Sequence, residues 1–507
     1  MKIGVDLGTS YSLVATLTPA GHPVLIPDFS DRDEIQTPSV VHLGSSGTFV
    51  GSLVETLLEQ QPELKAIRYF KRSLGTDLPL HFDEQGAAWH PEAVAALVLK
   101  KLRFDAESYS GSTVDGAVIT IPAHFNDLQR KAVLSAAMLA DVPVLGLIEE
   151  PVAAALHYGV VHDGADRVRL VYDLGGGTFD VSILSMDSKG VYVLGKGGLT
   201  DLGGKEFDER VAAMIVGQFE RALGGPPPLG ARSLLDLRRI AEEMKIELCS
   251  TDAPRVGRAV VLGENAVEVS IERREFESAV GDLIDRTVST CLSCLSHSGL
   301  QARDVQEVLL VGGGSMVPSV RRRLEQVFSG PGQEIRHHEP SRAVALGAAL
   351  RAAQLGDETR PQNLPPELRG VSGHTVAVRT VDPLSGRPSF DPVIRRGAPL
   401  PARSSRVYFA TRPDQTRVVI ELAQYADVPD DYVSLGCLLV EPLPAPAQNY
   451  PIEVVVENQD DGTIAVSATG PRGEAAVERT LVRAALDGAS HMSTQRSLVR
   501  STLVNHL

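Results

Sequence analysis

A chain of 507 residues is too long for one compact core and should divide into about three structural units. Its 49 Lys and Arg against 64 Asp and Glu leave a formal charge of −15, which repels phosphate backbones and anionic lipid and excludes nucleic acid and membranes as partners. Met1 to Val5 lacks the basic start of a signal peptide, no run of about 18 apolar residues follows, and four cysteines cannot form a disulfide framework, so a soluble cytoplasmic protein is expected.

Ile3 to Val14 reads as a strand, a tight turn at Gly8-Thr9-Ser10-Tyr11, and a returning strand. From His90 to Tyr109 the apolar positions Val94, Leu97, Val98 and Leu102 fall three and four apart behind Pro91, which predicts an amphipathic helix. Leu147 to Ala155 contains Glu149-Glu150-Pro151 and then a helix of very small residues, a face that lets helices pack tightly as a hinge requires. Val171 to Ile183, with Gly175-Gly176-Gly177-Thr178 between two apolar runs, repeats the plan of the first turn, Asp173 standing where Asp6 does. Glycine lets backbone approach a phosphate, Thr and Ser hydroxyls bond its oxygens, and a strand-end carboxylate can hold Mg²⁺ through water. Two facing copies would clamp a polyphosphate.

Cys291 and Cys294 fall in Thr287 to His297, a helical stretch where they read as packing residues. A third turn, Gly312-Gly313-Gly314-Ser315, ends an apolar strand and precedes a helix starting near Pro318. Strand-like and helical segments alternate through about residue 356, the pattern of mixed sheets covered by helices. Arg360 to Gly373 carries three prolines and no periodicity and reads as a linker. Short alternating segments then follow at Thr375–Val378, Val407–Ala410, Arg417–Leu422, Ile452–Val456 and Thr463–Ala468, with a hairpin signal at Asp461-Gly462, so this region is all-β. After Val482 comes a tail, Arg483 to Leu507, expected to be disordered or to make one helical turn against the β region.

In order, these motifs resemble the actin, hexokinase and heat-shock chaperone ATPase superfamily, and more narrowly the DnaK-type, heat-shock protein 70 chaperones. Further matches are Phe70 to Gly75, Ile121 to Arg130, Leu202 to Asp208, Pro392 to Gly397, Asp414 to Thr416 and Asp461 to Ala468. The resemblance implies an α/β actin-like ATPase with duplicated ribonuclease H-like lobes over residues 1–358, a linker at 359–373, an all-β substrate-binding sandwich at 374–482, and a lidless tail at 483–507. It implies an ATP-hydrolysing chaperone of the stress response that takes exposed apolar segments of unfolded polypeptides, with ATP or ADP, Mg²⁺ and K⁺ as an accompanying cation. A J-domain co-chaperone and a nucleotide exchange factor are the implied partners.

Residue by residue, the resemblance gives Asp6 and Asp180 to hydrated Mg²⁺. Gly8, Thr9, Ser10, Tyr11, Gly175, Gly176, Gly177 and Thr178 go to the phosphates, and Lys71, Glu150 and Asp173 to the γ-phosphate and its attacking water. Gly203, Gly204, Glu242, Lys245, Ile246, Gly312, Gly313, Gly314 and Met316 would meet the nucleoside, and Pro122 with Arg130 would report nucleotide state to the sandwich. Ile246 and Met316 stand where relatives stack adenine between arginines, Gly146 replaces an arginine of the co-chaperone contact, and no leucine-rich linker is recognisable. Two alternatives share parts of the pattern: a polymerising actin-like ATPase of the bacterial cell-shape type, and a small-molecule kinase on the same fold.

Overall fold

The computed structural model describes residues 1–31, 33–44, 47–161, 167–186, 190–356, 367–381, 387–426, 428–471, 489–502 and 504–505. The first turn becomes a hairpin: Lys2–Asp6 pairs antiparallel with Tyr11–Leu17 and parallel with Gly116–Ile121, which pairs parallel with Val144–Glu149. The second turn is built the same way, Arg167–Leu174 pairing antiparallel with Phe179–Met186 and parallel with Glu307–Val311. The sequence repeat is thus a repeat of sheet topology, each copy with its own apolar core of strand and helix side chains. We refer to the two as the N-terminal and central units.

Two helices of small residues join them. Glu150–Val161 crosses Ala343–Leu355, and between them lies a core to which both sheets contribute, through Val118 on one side and Val171 and Leu309 on the other. At Gly347 an added Cβ would stand 1.8 Å from the Ala153 carbonyl oxygen, so the crossing requires a residue without a side chain. The predicted helix at His90–Tyr109 is observed as Pro91–Ser110, and Leu97, Val98 and Leu102 lie in the N-terminal core. A buried charge cluster fixes its far half: Lys101 donates to Asp28 at 2.6 Å and to both oxygens of Asp105 at 2.7 and 2.6 Å.

The C-terminal region is a sandwich of a four-stranded and a three-stranded sheet over one core that includes Val378, Leu422, Leu438, Val454 and Val466. All five expected strands are present, and two more, Pro388–Ile394 and Val433–Val440, went unrecognised. The first carries two prolines and lies at a sheet edge, where a missing N–H is tolerated; the second is interrupted by Gly436 at φ 113°, which breaks the alternation. Gly462, at φ 77°, turns the predicted Asp461-Gly462 hairpin.

Residues 359–366 of the expected linker lie outside the described residues, and Glu367–Arg369 is a strand, adding to the central sheet beside Gly190–Leu199. Three residues are too short to show alternation. The tail also departs from expectation: Ala489–Ser501 is a helix and Val504–Asn505 a strand, both seated on the N-terminal unit and not on the sandwich. Cys291 and Cys294 are buried and unbridged on the helix Arg273–His297, as packing residues should be. Among the described residues no helix is long and apolar enough to cross a membrane.

Candidate functional site

The two glycine turns face each other across the joint. A Cβ built on Gly176 would fall 2.3 Å from Ser10 Oγ, and one on Gly177 would fall 2.2 Å from Thr9 Cγ2, so the hydroxyl-bearing turn of one copy rests against the bare backbone of the other. Gly203 and Gly204 lie against the second turn, Gly204 and Lys205 donating to the carbonyls of Gly175 and Gly176, each at 2.9 Å.

Strand register gathers the carboxylates. Asp173 and Asp180 are directly opposite in their antiparallel pair, an arrangement of like charges that destabilises a sheet. Asp6, at the end of the equivalent strand, accepts from Thr120 at 3.2 Å. Glu150 opens the small-residue helix and forms a buried ion pair with Lys71, which a short 3₁₀ turn, Phe70–Ser73, presents. Burial raises the pKa of Asp6, raises that of Asp173 well above the carboxylate range, and pushes Glu150 up to about 7. For Lys71 burial acts downward, yet Glu150 and Asp6 outweigh it and hold the ammonium charged.

A cleft of 630 Å³ lies beside the first glycine turn, lined by Thr9, Ser10, Tyr11, Arg68, Tyr69, Arg238 and Glu242 among others, and its size suits a nucleotide; these buried carboxylates, Lys71, Lys245, Ile246 and Met316 are not among its lining residues. Lys245 is paired with Asp208 at 2.6 Å. Ile246 and Met316 are 54% and 50% exposed, apolar side chains left open to solvent. Gly312 to Gly314 follow the strand Glu307–Val311, and a Cβ on Gly312 would stand 2.5 Å from Asp173 Oδ1, which brings the third turn to the same cluster.

The residues present suit Mg²⁺ with a polyphosphate. Bare backbone faces hydroxyls, and the Asp6 and Asp180 carboxylates both lie near enough to act on Glu150, a set suited to a cation that keeps most of its water.

Several contributors were quoted in motifs without a role. His124 Nδ1 lies 2.9 Å from Asp180 Oδ1, and Arg72 makes a bidentate bond to Glu206, both contacts at 2.8 Å, while its Nε reaches the Gly177 carbonyl. Only the motif context pointed to them, because their partners lie 56 and 134 residues away.

Arg130 leads out of the site. It donates to Glu149 at 2.7 Å, to Phe125 O at 3.2 Å, and across to Asp461 O in the sandwich at 2.6 Å. Pro122 is buried at the start of the same segment, its carbonyl accepting from Phe125 N at 3.2 Å. Beside Arg130, Asp127 accepts from Ile464 N at 2.8 Å and Leu128 enters the sandwich core.

The Hsp70 protein family model matches residues 2–496. Among curated proteins, the chain is 35% identical over 475 residues to a chaperone protein DnaK of Thermosipho melanesiensis, covering 92% of this chain and 77% of that one. It is 34% identical over 480 residues to a chaperone protein DnaK of Thermotoga neapolitana, covering 92% and 78%.

Proposed function

Because the chain belongs to the Hsp70 protein family, it is an ATP-hydrolysing chaperone that uses ATP and ADP with Mg²⁺, and we propose how its parts divide that work. Neither the polymerising ATPase nor the small-molecule kinase is favoured beside these relatives. In the proposal, residues 1–358 form the actin-like nucleotide domain, 359–373 the linker and 374–482 the sandwich that takes apolar segments of unfolded polypeptides. A J-domain co-chaperone and an exchange factor act on it, in the cytoplasm.

Asp6 and Asp180 would hold Mg²⁺ through water, and the ion when bound offsets charge on the phosphates. Thr9, Ser10, Thr178 and the backbone of both glycine turns grip the β- and γ-phosphates. Lys71 sets its ammonium beside the γ-phosphate, while Glu150 and Asp173 orient the attacking water in line, so these residues position and polarise without forming a bond. Glu242, Lys245, Ile246 and Met316 receive the nucleoside.

One observation carries the coupling of hydrolysis to peptide binding. Thr120 touches Asp6, His124 touches Asp180, and Arg130 bridges Glu149 to Asp461 O, so one segment joins the Mg²⁺ side chains to the sandwich. Glu149 is the chain neighbour of Glu150, and it also pairs with Lys196, whose carbonyl accepts from Arg396 at 2.9 Å. A change in the phosphate cluster would therefore reach the sandwich through mostly buried contacts.

The test is reciprocal. ATP turnover should rise when an unfolded peptide is added, and bound peptide should leave when ATP is added. Turnover indifferent to peptide, together with peptide release indifferent to ATP, would overturn the proposal.

A further inference from the structure

The C-terminal segment contributes to a core it was not expected to join. Val499 and Val504 are 1% and 7% exposed within the apolar cluster of the N-terminal unit, with Met492 and Leu498 packed half-buried against it. Gln495 makes two bonds to one short stretch, donating to Ala88 O at 2.9 Å and accepting from His90 N at 3.4 Å. Trp89, between those two residues, is the chain's single tryptophan and is 4% exposed. Lys100 closes the end of the tail helix by donating to the carbonyls of Val499 and Thr502 at 3.3 and 2.7 Å.

Beyond the helix, Val504 and Asn505 add a parallel strand to the edge at Thr48 and Phe49. That edge is shaped for it: Gly47 sits at φ 134°, and a Cβ there would fall 2.6 Å from Asn505 Nδ2.

The same segment braces the helix that seats the sandwich. Ala489–Ser501 packs against both Pro91–Ser110 and Asp127–Leu139. Arg500 donates to Asp141 at 2.7 Å and Arg496 lies 3.7 Å from it, just past the end of the helix that carries Asp127, Leu128 and Arg130.

We propose that the face of the N-terminal unit formed by Gly47–Val50, Trp89 and Pro91–Ser110 is a docking surface for the chain's own C-terminal segment, a detachable clasp that holds Asp127–Leu139 in position to seat the sandwich. Detachability follows from the balance of contacts. Two buried valines, two half-buried apolar side chains, the Gln495 and Lys100 hydrogen bonds and a two-residue strand must offset the ordering of the segment, and the arginine contacts to Asp141 are solvent-exposed. The contacts that hold the clasp, at Thr48, Phe49, Ala88 to His90, Lys100 and Asp141, are made away from the phosphate-site residues. Its effect on peptide coupling rests on the function proposed above, whereas its docking does not.

Trp89 shares its apolar cluster with Val499 and Val504 and so reports on the clasp. In the full chain, Val499→Asp with Val504→Asp on the tail side, and Gly47→Val on the receiving side, should each red-shift Trp89 emission. Amides of Asp127–Leu139 should exchange about tenfold faster, as for local opening. Basal ATP turnover should stay within about twofold, while stimulation by peptide is largely lost. Unchanged emission in both variants, or basal turnover lost along with it, overturns the proposal.

Hydrogen exchange of the unaltered chain gives an independent reading. Tail-helix amides should open together and ahead of those in Pro91–Ser110; exchange of both only by global unfolding would make the segment ordinary core and end the argument. If peptide never stimulates turnover even in the unaltered chain, the chaperone reading fails, while the Trp89 and exchange results still decide the clasp.

Discussion

Lys71 and Glu150, 79 residues apart in sequence, meet as a nearly dry ion pair, 2% and 8% exposed, at the point where the two units touch. Lys71 comes from the N-terminal unit and Glu150 starts one of the two joining helices, so in the roles proposed above the pair would tie hydrolysis to the relative position of the units.

Replacing Lys71 by Ala should leave nucleotide bound but slow single-turnover hydrolysis by about 10²- to 10³-fold, the scale for losing one preorganised stabiliser of developing charge. Glu150→Ala should match it, and the double variant should be little worse than either, because the two act as one unit. Rates within twofold of the parent would reduce the pair to a structural one.

At the seam, Asp127 is fully buried and its Oδ1 receives the Ile464 amide at 2.8 Å, while its own N–H donates to Gln424 at 3.0 Å. Asp127→Ala leaves that amide without a partner, a loss of about 1 to 3 kcal/mol. Peptide stimulation of turnover should fall by roughly tenfold or more on that scale, with basal turnover preserved. Stimulation equal to the parent's would show that the seam does not transmit.

Much of this was readable in advance. Repeated Asp-Leu-Gly plans announced two sheets of one topology because backbone geometry at a phosphate turn restricts residue choice to Gly, Ser and Thr. Pairings such as Asp173 opposite Asp180, or Arg130 with Asp461, were invisible because they depend on register and docking, which no local pattern encodes. The tail misled for the same reason: its weak periodicity hid that Val499 and Val504 find a core already formed by Leu97, Val98 and others.

The nucleoside seat offers a gain of function. Arginine at both Ile246 and Met316 should tighten ADP binding by roughly 2- to 30-fold for each cation–π contact restored. Isothermal titration decides it, and a large loss of affinity would show that adenine does not lie between these positions.

A pH prediction concerns the buried cluster around Lys101. Burial pushes Asp105 up to about 6 from an ordinary value of 3.8. A carboxyl raised in the folded state gives stability that is complete below its unfolded value and lost as pH climbs through the folded one. Relative to Asp105→Asn, which cannot titrate, the parent's melting temperature should therefore decline between about pH 4 and pH 6 and then level off. A difference constant with pH would contradict the burial argument.

The tail helix is placed on the N-terminal unit and so forms no cover over the sandwich. A bound peptide should be held by sandwich contacts alone, with micromolar or weaker affinity and rapid dissociation even with ADP, since affinity differences lie mainly in off-rates. Stopped-flow anisotropy giving complexes that last many minutes would rule this out.

Contacts between Gln495 and the Ala88–His90 stretch, spanning 405 and 407 positions, also set an order of events at the ribosome. Domains generally fold as they emerge, from the N-terminal end onward. Here the first-made unit forms its core without Val499 and Val504, which arrive only after the central unit and the sandwich have been synthesised. Throughout that interval the seat for Val504 and Asn505, beside Pro91–Ser110, stays open, so the nascent chain exposes an apolar edge that a later-made segment covers.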